Sequence, residues 1–99
     1  MADFSKVIGF EWDEGNERKN ERHSVSRAGA EQVFFNFPLL VSSDLKHSDD
    51  EPRFHALGIT HEGRRLHLTF TLRNEEQLIR VISARDMHRK ERLIYEQAS

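Results

Sequence analysis

Cysteine is absent from this 99-residue chain, which excludes disulfide staples and thiolate metal sites outright. No repeat or low-complexity tract breaks the sequence. No apolar run approaches the roughly 20 residues that a membrane-spanning helix needs. Met1–Phe10 has neither the basic start nor the long apolar stretch of a secretory signal, so the cytoplasm is the expected compartment, without membrane attachment. A Gly-rich phosphate loop and a Gly-x-Ser-x-Gly elbow are both missing, which argues against nucleotide hydrolysis and serine-esterase chemistry. No His-x-x-x-His pair falls on a helix, so neither a metal nor another cofactor is expected.

What is present is a lean core and an uneven charge. Hydrophobic residues make up 36% and charged residues 32%, but seven Phe and one Trp supply large burial areas. The length fits one domain, taken as 1–99. A core this thin gains from a partner surface. The net charge of −2 conceals a split. Residues 1–52 carry six Lys/Arg against eleven Asp/Glu, or −5, and residues 53–99 carry nine against six, or +3. Eight of those nine bases are Arg, the side chain suited to bidentate phosphate contact. The total charge does not support broad nucleic-acid coating, but a local phosphate site is permitted.

Val7–Phe10 reads as a brief strand. Asp13 can cap a helix over Asn16–His23, with Glu14 and Glu17 near its positive end; it has no apolar stripe and must be held by Trp12 and Val25. Ser26 can cap a second helix, in which Ala30, Val33, Phe34 and Phe37 follow i, i+3, i+4, i+7 spacing and form a core face ended by Pro38. Leu39–Val41 reads as a strand and Asp44–Pro52 as an acidic loop. Arg53–Thr60 alternates, with Gly58 as a bulge or close-approach site. Glu62-Gly63 signals a turn. Leu66, Leu68, Phe70 and Leu72 alternate cleanly with His67, Thr69 and Thr71. Arg73–Glu76 is a polar turn, and Leu78–Ser83 reads as a central strand. Ser83 and Asp86 fit a capping box for a final helix through Gln97, with Met87, Leu93, Ile94 and Tyr95 as its sparse apolar positions. The expected class is α+β, a small antiparallel sheet packed on helices in the order β-α-α-β-β-β-β-α.

Arg80 lies in an otherwise apolar strand, so it must reach solvent, a carboxylate such as Glu62, Glu75 or Glu76, or a phosphate on an open sheet face. Arg85, in the first turn of the last helix by the capping-box reading, would complement backbone N–H groups that favour an anion; the alternative is a surface Arg. Strand parity places Arg65 with His67, Thr69 and Thr71, away from the apolar face. His23 is the best His for acid–base work because an unperturbed His titrates near neutrality, or else it interacts with a helix C-terminus. Lys19 lies one turn before it on the same face. His47, His55, His61, His67 and His88 are scattered, and Tyr95 is either a general acid or a core anchor.

Phe10-Glu11-Trp12-Asp13-Glu14-Gly15-Asn16, then Lys19-Asn20 and His23-Ser24-Val25-Ser26, resemble the N-terminal signature of the BrnT family. Phe34-Phe35-Asn36, Pro38-Leu39, Ala56-Leu57-Gly58, Glu62-Gly63-Arg64, Ile79-Arg80-Val81-Ile82-Ser83-Ala84-Arg85, Arg89-Lys90-Glu91-Arg92 and Tyr95 resemble its later stretches. The resemblance spans about residues 8–96. It implies a RelE-like fold, RNA cleavage that arrests translation, and neutralisation by a cognate antitoxin of the BrnA type. That partner would be a ribbon-helix-helix DNA-binding protein assembled with the toxin as a heterotetramer. Metal-free RNA cleavage needs a base for the 2′-hydroxyl, an acid for the 5′-oxygen and cations for the phosphorane. The resemblance favours Arg64, Arg80, Arg85 and His23 as catalytic residues, with Lys19 and Arg65 binding substrate; it selects Arg64 where parity selects Arg65. The competing reading is a non-catalytic protein-binding module, or an inactive toxin homologue that acts only through its partner.

Overall fold

The computed structural model describes residues 4–48 and 51–98, without the side chains of Lys19 and Glu21. The elements run β1 (Gly9–Phe10), α1 (Glu14–Glu21), α2 (Arg27–Val33), β2 (Leu40–Ser43), a 3-10 turn (Leu45–His47), β3 (Arg53–Ile59), β4 (Arg65–Arg73), β5 (Leu78–Asp86) and α3 (Arg89–Ala98). The five strands form one open sheet in the order β1-β5-β4-β3-β2. Neighbours are antiparallel except β1, which runs parallel to β5. The sheet is therefore mixed rather than wholly antiparallel, because the chain crosses from one edge to the other through α1 and α2.

Local chemistry sets the helix ends. Asp13 caps α1 by accepting from the Asn16 N–H at 3.2 Å, and Asn16 Oδ1 accepts from the Asp13 N–H at 2.7 Å, a reciprocal capping box. Ser26 Oγ accepts from the Gly29 N–H at 3.0 Å and starts α2. Two boundaries depart from expectation. Helix α1 starts at Glu14 and its last residue is Glu21, so His23 lies outside it and Ser24 turns the chain at φ +56°. Helix α2 ends at Val33. Ala30 and Val33 are fully buried and Phe34 packs on the core, but Phe37 is 91% exposed; the chain leaves the helix before the i+7 position is reached.

The core lies between α2 and one sheet face. Phe54, Ala56, Leu66, Leu68, Phe70, Ile79, Val81 and Ala84 meet Val25, Ala30 and Val33 there. Gly58 is required by close approach: a Cβ there would sit 2.3 Å from Val33 Cγ1. Phe70 anchors a ring cluster, stacked on Phe54 at 5.3 Å and edge-on to Phe34 at 5.1 Å. Beside it a groove of about 340 Å³ is lined by apolar residues including Phe4, Ile8, Phe10, Phe35 and Val41. Ile8, Phe35, Phe37 and Leu45 remain largely exposed.

Ser83–Asp86 depart furthest from the local sequence pattern. These residues do not cap a helix; they continue β5, paired through Asp86 with Leu66. Strand β4 is nine residues long, and its Leu66–Thr69 backbone needs partners on the β5 side, which outweighs the local cap. Helix α3 starts only at Arg89. Met87 is buried before it, and Leu93 and Ile94 are about half exposed. Tyr95 is the anchor: it is 3% exposed, and its hydroxyl donates to the Pro38 carbonyl at 2.7 Å.

Candidate active site on the open sheet face

Alternation along β3 and β4 turns Arg53, His55, Leu57, Arg65, His67, Thr69 and Thr71 away from the α2 side. Strand β5 adds to this face through a bulge. Thr69 pairs with Ser83 but Phe70 pairs with Val81, so Ile82 is the extra residue. Residues 80 and 85 differ by an odd number and would otherwise point to opposite sides. The bulge puts Arg80 opposite Thr71 and Arg85 opposite His67, on the same face. Three rows result: Arg53–Thr71–Arg80, Ser42–His55–Thr69–Ser83, and Leu57–His67–Arg85.

Helix α3 crosses one end of this face. Glu91 accepts from Arg85 through both oxygens, at 2.8 and 3.0 Å, and from the His88 N–H at 2.8 Å. Its Oε2 is 3.9 Å from His67 Nε2. The Arg85 hydrogen bonds are the main reason that the Glu91 carboxyl is held down to about 2. His67 is pushed below the ordinary imidazole value, first by burial and then by the charge of Arg85. Its ring lies 5.0 Å from that of His55. His55 Nδ1 is hydrogen-bonded with Thr69 Oγ1 at 3.1 Å, and its Nε2 is 3.1 Å from Asp44 Oδ2. His47 reaches the same oxygen at 3.0 Å. Partial burial pushes the Asp44 carboxyl up, but the His47 hydrogen bond and the two imidazoles bring it below its usual value.

The residues singled out from sequence divide among several places. Arg85 joins His67 and Glu91, and its setting is a strand, not a helix N-terminus. Arg80 faces the same side two rows away, roughly 13 Å by strand rise. Its partners are Glu11 (2.9 Å) and Asp13 (2.8 and 3.1 Å), not Glu62, Glu75 or Glu76. The hydrogen bond from Arg80 holds Asp13 down to about 2. Arg65 lies on the open face, as parity requires, and pairs with Glu96 at 2.7 Å.

Arg64 and His23 meet elsewhere. The Arg64 guanidinium donates to Asp86 at 2.7 and 3.2 Å and to the carbonyls of His23 and Ser24 at 2.9 and 2.7 Å. It ties the α1–α2 connection to the end of β5. That hydrogen bond lowers the Asp86 carboxyl and raises Arg64. The His23 side chain is exposed beside this clamp. Lys19 is in α1, with its side chain outside the described residues. Because His23 has left the helix, Lys19 and His23 do not share a helical face.

His55, His67, Asp44 and Glu91 were not singled out from sequence. The signal available was parity: His55 and His67 alternate with Phe54, Ala56, Leu66 and Leu68, so both belong to the non-apolar face. Asp44 and Glu91 lie outside the strands and become neighbours only through tertiary folding. Among the described residues no group of three or more His, Cys, Asp or Glu is arranged to hold a metal ion, and no helix is long and apolar enough to cross a membrane.

The arrangement supplies two imidazoles, a guanidinium held in place by a carboxylate, and hydroxyls, all on one accessible face. These groups can transfer protons and stabilise negative charge. Among curated proteins none matches the chain. A family model does match: residues 12–91 fit the ribonuclease toxin BrnT of type II toxin–antitoxin systems. The match takes in Asp13, Asp44, both open-face His, Arg64, Arg80, Arg85 and Glu91, which is most of the chain, and on that basis the protein belongs to the BrnT family of ribonuclease toxins.

Proposed function

We propose that this chain is a RelE-like, metal-independent endoribonuclease that cleaves RNA in the cytoplasm, inhibits translation and is neutralised by a cognate BrnA-type antitoxin. The family supports the toxin and ribonuclease parts. The observation that carries the chemistry is the placing of Arg85 and His67 opposite each other on the open face, with Glu91 holding the guanidinium. The 2′-oxygen of RNA loses its proton and attacks the adjacent phosphorus. The bond to the 5′-oxygen breaks, and that oxygen leaves protonated. The products are a 2′,3′-cyclic phosphate and a 5′-hydroxyl end.

Arg85 meets the charge that builds on the phosphorane. His67, kept uncharged by burial and by Arg85, accepts the 2′ proton. Arg80, Arg65 and Lys19 contact the flanking backbone as phosphate-binding cations. Arg64 acts as a positioning residue through Asp86, the residue next to Arg85, and His23 serves from the rim of the same clamp. The apolar groove and the exposed Ile8, Phe35 and Phe37 offer a surface of the kind a protein partner covers, in keeping with a ribbon-helix-helix antitoxin and a heterotetramer.

The test uses purified protein with RNA in chelator, both free and on translating ribosomes. Cleavage leaving cyclic phosphate ends is expected, with Arg85→Ala reducing the rate by about 100-fold or more. Induced expression should arrest growth, and antitoxin co-expression should restore it. A strict need for a divalent ion, or full activity in Arg85→Ala, overturns the mechanism. One observation favours the second reading, an inactive homologue or binding module: Arg64, Arg80 and Arg85 are each already paired with a carboxylate. RNA left intact by a chain that binds its antitoxin tightly would establish that reading instead.

A further inference from the structure

We propose that His55 is the general acid of this site, with Asp44 as its positioning residue, an assignment that rests on the ribonuclease reading above. Four observations lead there. The Asp44 side chain is only 10% exposed, yet its close polar partners are two imidazoles, His47 at 3.0 Å and His55 at 3.1 Å. A carboxylate bonded to an imidazole fixes the orientation of that ring. It is the arrangement that orients a catalytic His. The side chain of His55 is 35% exposed and that of His67 14%, so both imidazoles reach the open face and His55 is the more accessible. The two rings are close neighbours, with centroids 5.0 Å apart, so one phosphodiester docked over the open face can reach both. The remaining nitrogen of His55, Nδ1, is engaged only by the Thr69 hydroxyl at 3.1 Å, a light rotor that a substrate oxygen can replace.

The step balances. His67 takes the proton of the 2′-hydroxyl as the 2′-oxygen bonds to phosphorus. Protonated His55, ion-paired through Nε2 with Asp44, gives its Nδ1 proton to the 5′-oxygen as the P–O5′ bond breaks. One proton enters the site and one leaves. The ring pair resets when His67 loses its proton to water and His55 regains one.

Two substrates separate an acid from a structural residue: an oligoribonucleotide, and a uridine 3′-(4-nitrophenyl phosphate) diester, whose leaving group departs without a proton. His55→Ala and His55→Gln are expected to cleave RNA about 100-fold more slowly or worse. Asp44→Asn is expected to lose at least about tenfold. All three should stay within about threefold of wild type on the nitrophenyl ester, with RNA binding unchanged. Arg85→Ala should lose activity on both substrates. Equal losses on both substrates for both His55 variants, or none on either, overturn the assignment. Wild-type activity that depends on Arg85 and not on His55 overturns it alone. A wild-type chain that cleaves neither substrate overturns the ribonuclease reading and this one with it.

Discussion

The two faces of the sheet are made by the same three strands and obey opposite rules. On the α2 side, Phe54, Ala56, Leu66, Leu68, Phe70, Val81 and Ala84 are closed from water and cluster with Val33 and Phe34. On the other side, His55, His67, Thr69, Ser83 and Arg85 keep partial contact with solvent, and α3 covers only one end. Burial stabilises the first face in proportion to area. The second gains little from its ion pairs, since partly exposed pairs contribute about 0–1 kcal/mol. One face holds the fold, and the other can be arranged for chemistry without a large cost to it.

That division can be broken by substitution. The largest effect is expected for Phe70→Ala, which empties the centre of the ring cluster and should cost about 3–5 kcal/mol in chemical denaturation. Gly58→Ala should cost about 1–3 kcal/mol by the same measurement, because the new methyl meets the stiff Val33 side chain. Arg85→Ala, on the opposite face, should change stability by less than about 1 kcal/mol while lowering RNA cleavage. A comparable loss of stability would mean that the open face is structural after all. The smallest effect concerns pH. The Glu91 carboxyl is held at about 2 against an ordinary 4.5, so its pairing contributes fully above about pH 4.5 and is lost as pH falls through about 2. Wild-type stability should therefore decline over that window more than that of Glu91→Gln, followed by thermal melts at stepped pH. Parallel curves would remove Glu91 as a stabilising partner of Arg85.

Much of the scaffold was legible because it depends on local or periodic signals. The caps Asp13 and Ser26, the alternation of β4, the turn at Gly63 and the close approach at Gly58 each rest on neighbours in sequence or on a single period. Local patterns mislead where distant partners decide. Ser83–Asp86 carries a good helix-start pattern, but the edge of β4 claims it as strand. Phe37 fits a helical stripe that the chain abandons at Val33. Arg80 finds Asp13 and Glu11, more than 60 positions away, and not the nearer carboxylates. The site was less legible still. The local pattern sets Arg85 at a helix start although it lies in a strand, and nothing in the sequence reveals that Ile82 is bulged out, although that one extra residue brings Arg80 and Arg85 to a common side.

Asn16 has a consequence beyond its helix. The carbonyls of Gln77, Ile79 and Val81 face outward along β5; the first two accept from the Ile8 and Glu11 backbone N–H groups at 2.8 and 2.9 Å. Strand β1 then stops, and the third accepts from Asn16 Nδ2 at 3.1 Å. A side-chain amide thus serves as the next rung of the ladder. An unpaired strand edge is a template on which another chain can add, and on this edge Asn16, 4% exposed, takes over where β1 has ended. The far edge, β2, offers only four residues, two of them serines, a short template for an added strand.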